Sequence, residues 1–307
     1  MSRSDKSNKR NDPKSIVILF SCAFIWGTAF VAQVKSRSMT PFAYNGIRYV
    51  LGALTVGIAA LIFERKGESR DSLSMTLKGG ALTGIILFIA ANLQQLGIYY
   101  GTQAGKAGFF TGVYTVLVPI MAFVFFRKRT SVLTWIGVAF AVAGLYMLCM
   151  TDGNSLSFTF SDALILAGAL FWSLHIIVID HFTEKGVSPL KYSTTQFLAC
   201  AVLSLACALI FEDVSFADAW ATKIEILYGG VLSVGVAYTL QILGQRRVEP
   251  TLSAIILSTE SVFSVIGGAL ILHERLAFPY GYLGCAAMFA AIIISQIEPK
   301  NNKKANA

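Results

Sequence analysis

Ten apolar stretches, each close to the roughly 20 residues that a helix needs to cross a hydrocarbon layer, take up most of this 307-residue chain. They run over residues 16–34, 43–63, 79–99, 103–126 and 132–150, then 162–179, 190–211, 224–244, 251–272 and 277–297. With 55% hydrophobic residues, 14% charged residues and a mean hydropathy of +0.64, the chain lacks the polar surface that a water-soluble domain of this size requires. The predicted fold class is therefore an all-α polytopic membrane protein with ten transmembrane helices. The longest connection between spans, residues 64–78, has 15 residues, which leaves no room for a separate catalytic domain.

The spans are written twice. A shift of 146 residues carries Phe24-Ile25-Trp26 onto Leu170-Phe171-Trp172, Gln95 onto Gln241 and Arg129 onto Arg275. A shift of 147 pairs Gly137 with Gly284, and one of 148 pairs Pro41 and Tyr44 with Pro189 and Tyr192, as small differences in loop length require. Five spans per copy is an odd number, so the second copy is inverted relative to the first. The predicted organisation is a basic tail over 1–14, a five-helix repeat over 15–150, its inverted partner over 151–298 and a second basic tail over 299–307. Inverted repeats of this kind build secondary transporters, with the substrate site near the bilayer mid-plane where the repeats meet.

Orientation follows from the basic residues. If the N-terminus is cytoplasmic, 19 of the 25 lysines and arginines fall on the inner side, five (Lys35, Arg37, Lys106, Lys223 and Arg275) on the outer side, and Arg48 within a span. Both termini are thus expected in the cytoplasm of a cell-membrane protein. The +8 net charge follows from this topology and requires no nucleic-acid partner. The first apolar run exceeds the hydrophobic region of a signal peptide and lacks a small-x-small cleavage end, so it is expected to remain as the first helix. All five cysteines lie in predicted spans without metal-type spacing, which argues against a disulfide framework or a metal site. No cofactor is expected.

Packing signals are concentrated around the third and fourth spans. Gly97, Gly101, Gly105, Gly108 and Gly112 predict a tightly apposed hairpin there, because close approach of helices in lipid depends on small residues. Pro119 is the one proline well inside a span, and a kink is expected in that fourth helix.

Polar side chains within spans carry the functional signal, since each is costly in lipid and turns toward protein or a wet cavity. Asn92, Gln95 and Tyr99 share one helical face, and the 146 shift maps this triplet onto Tyr238, Gln241 and Gln245, so two polar stripes are expected to confront one another across a central cavity. Trp26 with Phe30, and Trp172 with His175, lie about one turn apart near the middle of their spans, where an interfacial anchor has no headgroup to meet; packing and cavity lining both stay open for them. Tyr114 completes the set of cavity candidates. Glu260 is the only acidic residue near the middle of any span. It is the first candidate for proton coupling, against a structural hydrogen bond, and His175 is the second. Arg48 is read as structural or gating, its long side chain snorkelling outward or pairing with an acid.

Taken together, Trp26-Gly27, Arg48, the Gly-rich start of the fourth span followed by Gly112 to Pro119, and Ser258-Thr259-Glu260 leading to His273-Glu274-Arg275-Leu276 resemble the drug/metabolite transporter superfamily, in its ten-helix, EamA-type branch. The resemblance covers residues 16–297. It implies a central cavity formed by the first, third, fourth, sixth, eighth and ninth helices, with the fifth and tenth at the periphery. Two departures stand out. Arg127-Lys128-Arg129 occupies the place where such repeats often carry a Glu-Arg pair, and Ser261 follows Glu260 where proline is common, which puts a kink of the ninth helix in doubt.

The expected function is a carrier that moves a small amphipathic, amino-acid-like metabolite by alternating access, with efflux favoured. The expected cavity has aromatic walls, amide groups and few fixed charges. Uptake of a nucleoside, vitamin or related metabolite is the alternative. A membrane-embedded enzyme is disfavoured, because no His-Glu-x-x-His, phosphate-binding loop or second mid-span carboxylate is present. The expected partners are the small-molecule substrate and the lipid bilayer, and a homodimer stays open.

Overall fold

The structure is a computed structural model that describes residues 12–64, 70–127, 131–148, 159–275 and 278–296. Helix starts follow local chemistry. The first helix, α1 (Pro13–Lys35), opens with a proline, whose missing N–H costs nothing in a first turn, and with Asp12 accepting from the Ser15 N–H at 3.2 Å. Prolines likewise open α2 (Pro41–Phe63), α8 (Pro189–Phe211) and α12 (Pro250–Leu257). A Thr159/Asp162 capping box starts α7 (Phe160–Glu184). Between these lie α3 (Arg70–Tyr99), α4 (Ala104–Gly112), α5 (Tyr114–Phe126), α6 (Val132–Leu148), the short α9 (Phe216–Ala221) and α10 (Lys223–Leu227), and α11 (Tyr238–Gln245). After α12 come α13 (Glu260–Ile271) and α14 (Tyr280–Gln296).

Among the described residues there is no strand. Eight helical stretches among the described residues are long and apolar enough to cross a membrane, and two shorter apolar helices, α6 and α14, occupy the fifth and tenth predicted spans. Large apolar side chains such as Leu54, Ile58, Leu61, Phe123, Leu209 and Leu270 are exposed, as lipid-facing surfaces are. The α6 and α14 helices pack mainly on each other.

The inversion is visible in how α2 and α8 are joined. Glu212, just past the end of α8, accepts from the Phe42 and Ala43 N–H groups at the start of α2, both at 2.9 Å. Glu64, just past the end of α2, accepts from Leu190 and Lys191 at the start of α8, at 3.0 and 3.1 Å, and from the Ser188 hydroxyl. Each helix caps the other, so the two run antiparallel, and the two caps are related by the 148-residue shift. Glu274 does the same for α4, accepting from Ala104 and Gly105 at 3.0 and 3.3 Å. Its counterpart 146 residues earlier is Lys128, which lies outside the described residues.

One packing expectation needs correction. The glycine face of α4 meets α13 and not its hairpin neighbour α3: a Cβ on Gly105 would sit 3.0 Å from Val265 Cγ2, one on Gly108 would land on the Ser264 hydroxyl, and one on Gly112 would lie 3.0 Å from Ser261 Oγ. Gly97 packs instead against Ser161 and Ile165 of α7, and Gly101 turns the chain at a φ of +120° that a side chain would strain. The fourth span runs helically through Pro119, and at Val113 it tightens for one residue, whose N–H bonds to the Phe110 carbonyl three residues back while its backbone stays right-handed helical.

The ninth span tightens in the same way at Ser258 and Thr259, between α12 and α13, with both residues still right-handed helical. Hydroxyls there donate to carbonyls: Ser258 to that of Ile255, Thr259 to that of Ile256, and Ser261 to that of Ser258 and, across to α4, to that of Gly108. Val113 and Thr259 are 146 residues apart, so both repeats tighten the same helix at the same place. In the eighth span, residues Tyr228–Ala237 form a π-helix, a wide geometry that is frequent at functional sites.

Candidate substrate cavity

Side chains of α1, α2, α3, α4, α5, α7, α11, α13 and the π-helix line a common cavity that is partly open to the outside. Its aromatic wall is built around Tyr238. The Trp26 ring centroid lies 4.6 Å from that of Tyr238, and the Trp172 ring stacks on it at 6.1 Å with 19° between planes. The Trp26 indole N–H is spent on the Ser233 carbonyl of the π-helix at 3.1 Å, whereas the Trp172 indole nitrogen is buried without a partner. Phe30 and Ile176 extend the apolar lining.

The polar lining comes from both repeats. Gln33 donates to Gln94 at 3.3 Å and Gln94 to the Thr111 hydroxyl at 2.9 Å, giving a hydrogen-bonded strip across α1, α3 and α4. Gln241 lines the space from α11, with its carbonyl oxygen unpaired. The Tyr114 hydroxyl donates to Glu260 Oε1 at 3.0 Å. These two residues open α5 and α13, immediately after the paired tight turns, and are themselves 146 residues apart: the repeat bonds to itself here. Glu260 is 4% exposed and Tyr114 3%, so this contact lies well away from bulk water.

The sequence candidates divide accordingly. Trp26, Phe30, Tyr114, Trp172, Tyr238, Gln241 and Glu260 line the cavity, and so does Arg48, which the sequence placed in a structural or gating role. Asn92 and Gln95 do not. Asn92 is held between α2 and α8, accepting from Asn45 at 2.9 Å and donating to Ser204 at 3.0 Å. Gln95 is fully buried with both amide atoms unpaired, and its neighbour Gln94, about 100° further round the helix, faces the space instead. The two predicted stripes therefore do not confront one another; only the second reaches the cavity. His175 stands behind the wall, edge-on to Trp172 and Tyr238 at 5.7 and 5.9 Å, with its Nε2 3.1 Å from Gln196 Oε1.

Sequence reasoning missed Gln33, Gln94, Thr111 and Ser233. For Tyr114 and Glu260 the 146-residue shift could have announced the contact, since it maps one onto the other. Among the described residues no cluster of His, Cys, Asp and Glu could hold a metal ion.

Known proteins resemble this chain along its length. The profile of the EamA-like transporter family matches residues 13–150 and again 159–296. An uncharacterized transporter of Archaeoglobus fulgidus is 31% identical over 89% of this chain and 82% of its own length. The uncharacterized inner membrane transporter YedA of Escherichia coli K12 is 26% identical over 84% and 83%, and the threonine/homoserine exporter RhtA of the same strain is 22% identical over 94% and 93%. A crystal structure with 16% identity superposes at a TM-score of 0.73, covering 92% of this chain and 96% of the other, which speaks for the fold alone.

Proposed function

Because the chain belongs to the EamA-like transporter family and is thus a membrane transporter, we propose that it sits in the cell membrane with both termini in the cytoplasm and exports a small amino-acid-like metabolite. The observation that carries this reading is the lining of the cavity: stacked aromatic rings beside an amide strip, with one acid held by one tyrosine. Aromatic faces accept the apolar part of an amphipathic solute and attract an ammonium group, while the amides supply the few oriented hydrogen bonds that specificity needs. The similarity to a threonine/homoserine exporter supports both the substrate class and the direction.

The paired tight turns mark the hinge. Each repeat tightens one cavity-lining span beside Tyr114 or Glu260, so bending there can open the space to one side while the partner span closes the other. Glu260 couples this motion to a proton gradient. Its carboxylate is buried, so it takes up a proton when the cavity faces the acidic side and gives it up when the cavity faces the alkaline side. Glu260 thereby biases which conformation returns empty.

The test is transport by the purified protein in liposomes, with a labelled panel of amino acids, nucleosides and vitamins and an imposed pH gradient. Amino acids moved against their gradient support the reading. Movement of nucleosides or vitamins with no amino acid transported overturns it.

A further inference from the structure

We infer that Arg48 recognises a carboxylate, so that the carried solute must present a free carboxylate group. This inference deepens the amino-acid-like reading and rests on it for the choice of probes. Arg48 is 3% exposed, on α2, and its side chain borders the cavity. A guanidinium keeps its charge in any protein environment, and a buried charge requires an opposite partner. Among the described residues no carboxylate lies within ion-pair distance of it, and its Nε has no hydrogen-bond partner. What it does have are two aromatic faces, with its central carbon 5.2 Å from the ring centroids of both Tyr44 and Tyr49. The rings hold the guanidinium in place and leave its charge unmatched.

The repeat provides an independent argument. A shift of 148 carries Arg48 onto Gln196, a neutral amide that bonds His175 within the wall. Helix packing at this position is thus achieved in the second repeat without a cation, and packing does not explain the arginine in the first. A carboxylate in the cavity would complete it, because the planar fork of donors matches two carboxylate oxygens. The ammonium end of an amino acid would then fall to the faces of Trp26, Trp172 and Tyr238. Glu260, with Tyr114 as its partner, stays available for the proton.

The experiment is counterflow uptake of labelled L-threonine, L-leucine and L-phenylalanine into liposomes holding the purified protein. Each is competed by its own carboxamide, which lacks the carboxylate, and by its 2-hydroxy acid analogue, which lacks the amine. The carboxamides are expected to compete at least ~10-fold more weakly than the parent amino acids, as the loss of a charge-assisted pair implies, while the hydroxy acids retain competition. Arg48→Gln is expected to remove that distinction, and Arg48→Lys, which keeps the charge and loses the fork, to restore part of it. Carboxamides competing as well as the parents in the unmodified protein would overturn the inference whether or not any variant folds, and would leave the amino-acid-like reading intact. An Arg48→Gln protein of normal abundance that still discriminates would also overturn it. Transport of a labelled 2-hydroxy acid with none of the amino acids moved would sustain carboxylate recognition and defeat the amino-acid-like reading. Transport of uridine alone would defeat both.

Discussion

Replacing Glu212 by alanine tests the reciprocal caps that tie the two repeats together. The side chain accepts two backbone N–H groups at 2.9 Å, at the start of a helix whose first turn has no other acceptor for them. Loss of an N-terminal cap costs about 0.5–2 kcal/mol, and a half-buried carboxylate holding two N–H groups belongs at the upper end, at about 2 kcal/mol. Glu64→Ala at the other end of the pair is expected to cost about the same, since it removes the same two bonds at 3.0 and 3.1 Å and a contact with the Ser188 hydroxyl. The two caps are separated by a 23-residue helix, roughly 34 Å at 1.5 Å per residue, so their effects should add to within about 0.5 kcal/mol. A glutamine at either position retains an acceptor oxygen and should lose about half as much. Unfolding of the purified protein by sodium dodecyl sulfate in mixed micelles, followed by tryptophan fluorescence, measures these differences. Alanine variants within about 0.5 kcal/mol of the unmodified protein would refute the capping argument, and so would a double variant far from the sum of the singles.

Glu260→Gln preserves shape and a hydrogen bond to Tyr114 but removes the exchangeable proton; it should abolish accumulation driven by a pH gradient while sparing substrate exchange, and normal gradient-driven accumulation would rule out Glu260 as the coupling group. Gly27→Leu should destabilise the protein by about 1–3 kcal/mol or more, because even a Cβ there would land on Phe263 and lie 2.6 Å from the Glu260 carbonyl oxygen; the loss is read as reduced abundance and a lower melting temperature, and an unchanged melt would contradict the packing of α1 on α13. Gln241→Ala should weaken transport at normal abundance, whereas Gln95→Ala, which removes an unpaired amide away from the cavity, should leave transport nearly unchanged; equal transport defects in both would contradict the placement of Gln95. A reporter inserted near Asn154 should report the outside and one fused after Ala307 the cytoplasm, and finding both on one side would exclude ten spans with an inverted repeat.

What the residues determine on their own is whatever depends on one helix at a time, or on counting. Ten apolar runs, their odd number per copy and the 146-residue shift follow from hydropathy and spacing, and they suffice for an all-helical, inverted-repeat membrane protein. Trp26, Trp172, Tyr238 and Glu260 stood out for a similar reason: a polar or amphipathic group in mid-span is costly unless protein or water receives it. Periodicity also says which residues of a helix share a face, but it leaves open what that face meets. Only the packed bundle decided that the face of Asn92 is spent between α2 and α8, that Gln94 and not Gln95 reaches the cavity, and that the glycines of α4 receive α13. Arg48 shows the division most clearly: the sequence reports a charge within a span, while whether an acid stands opposite it depends on contacts between segments far apart in the chain.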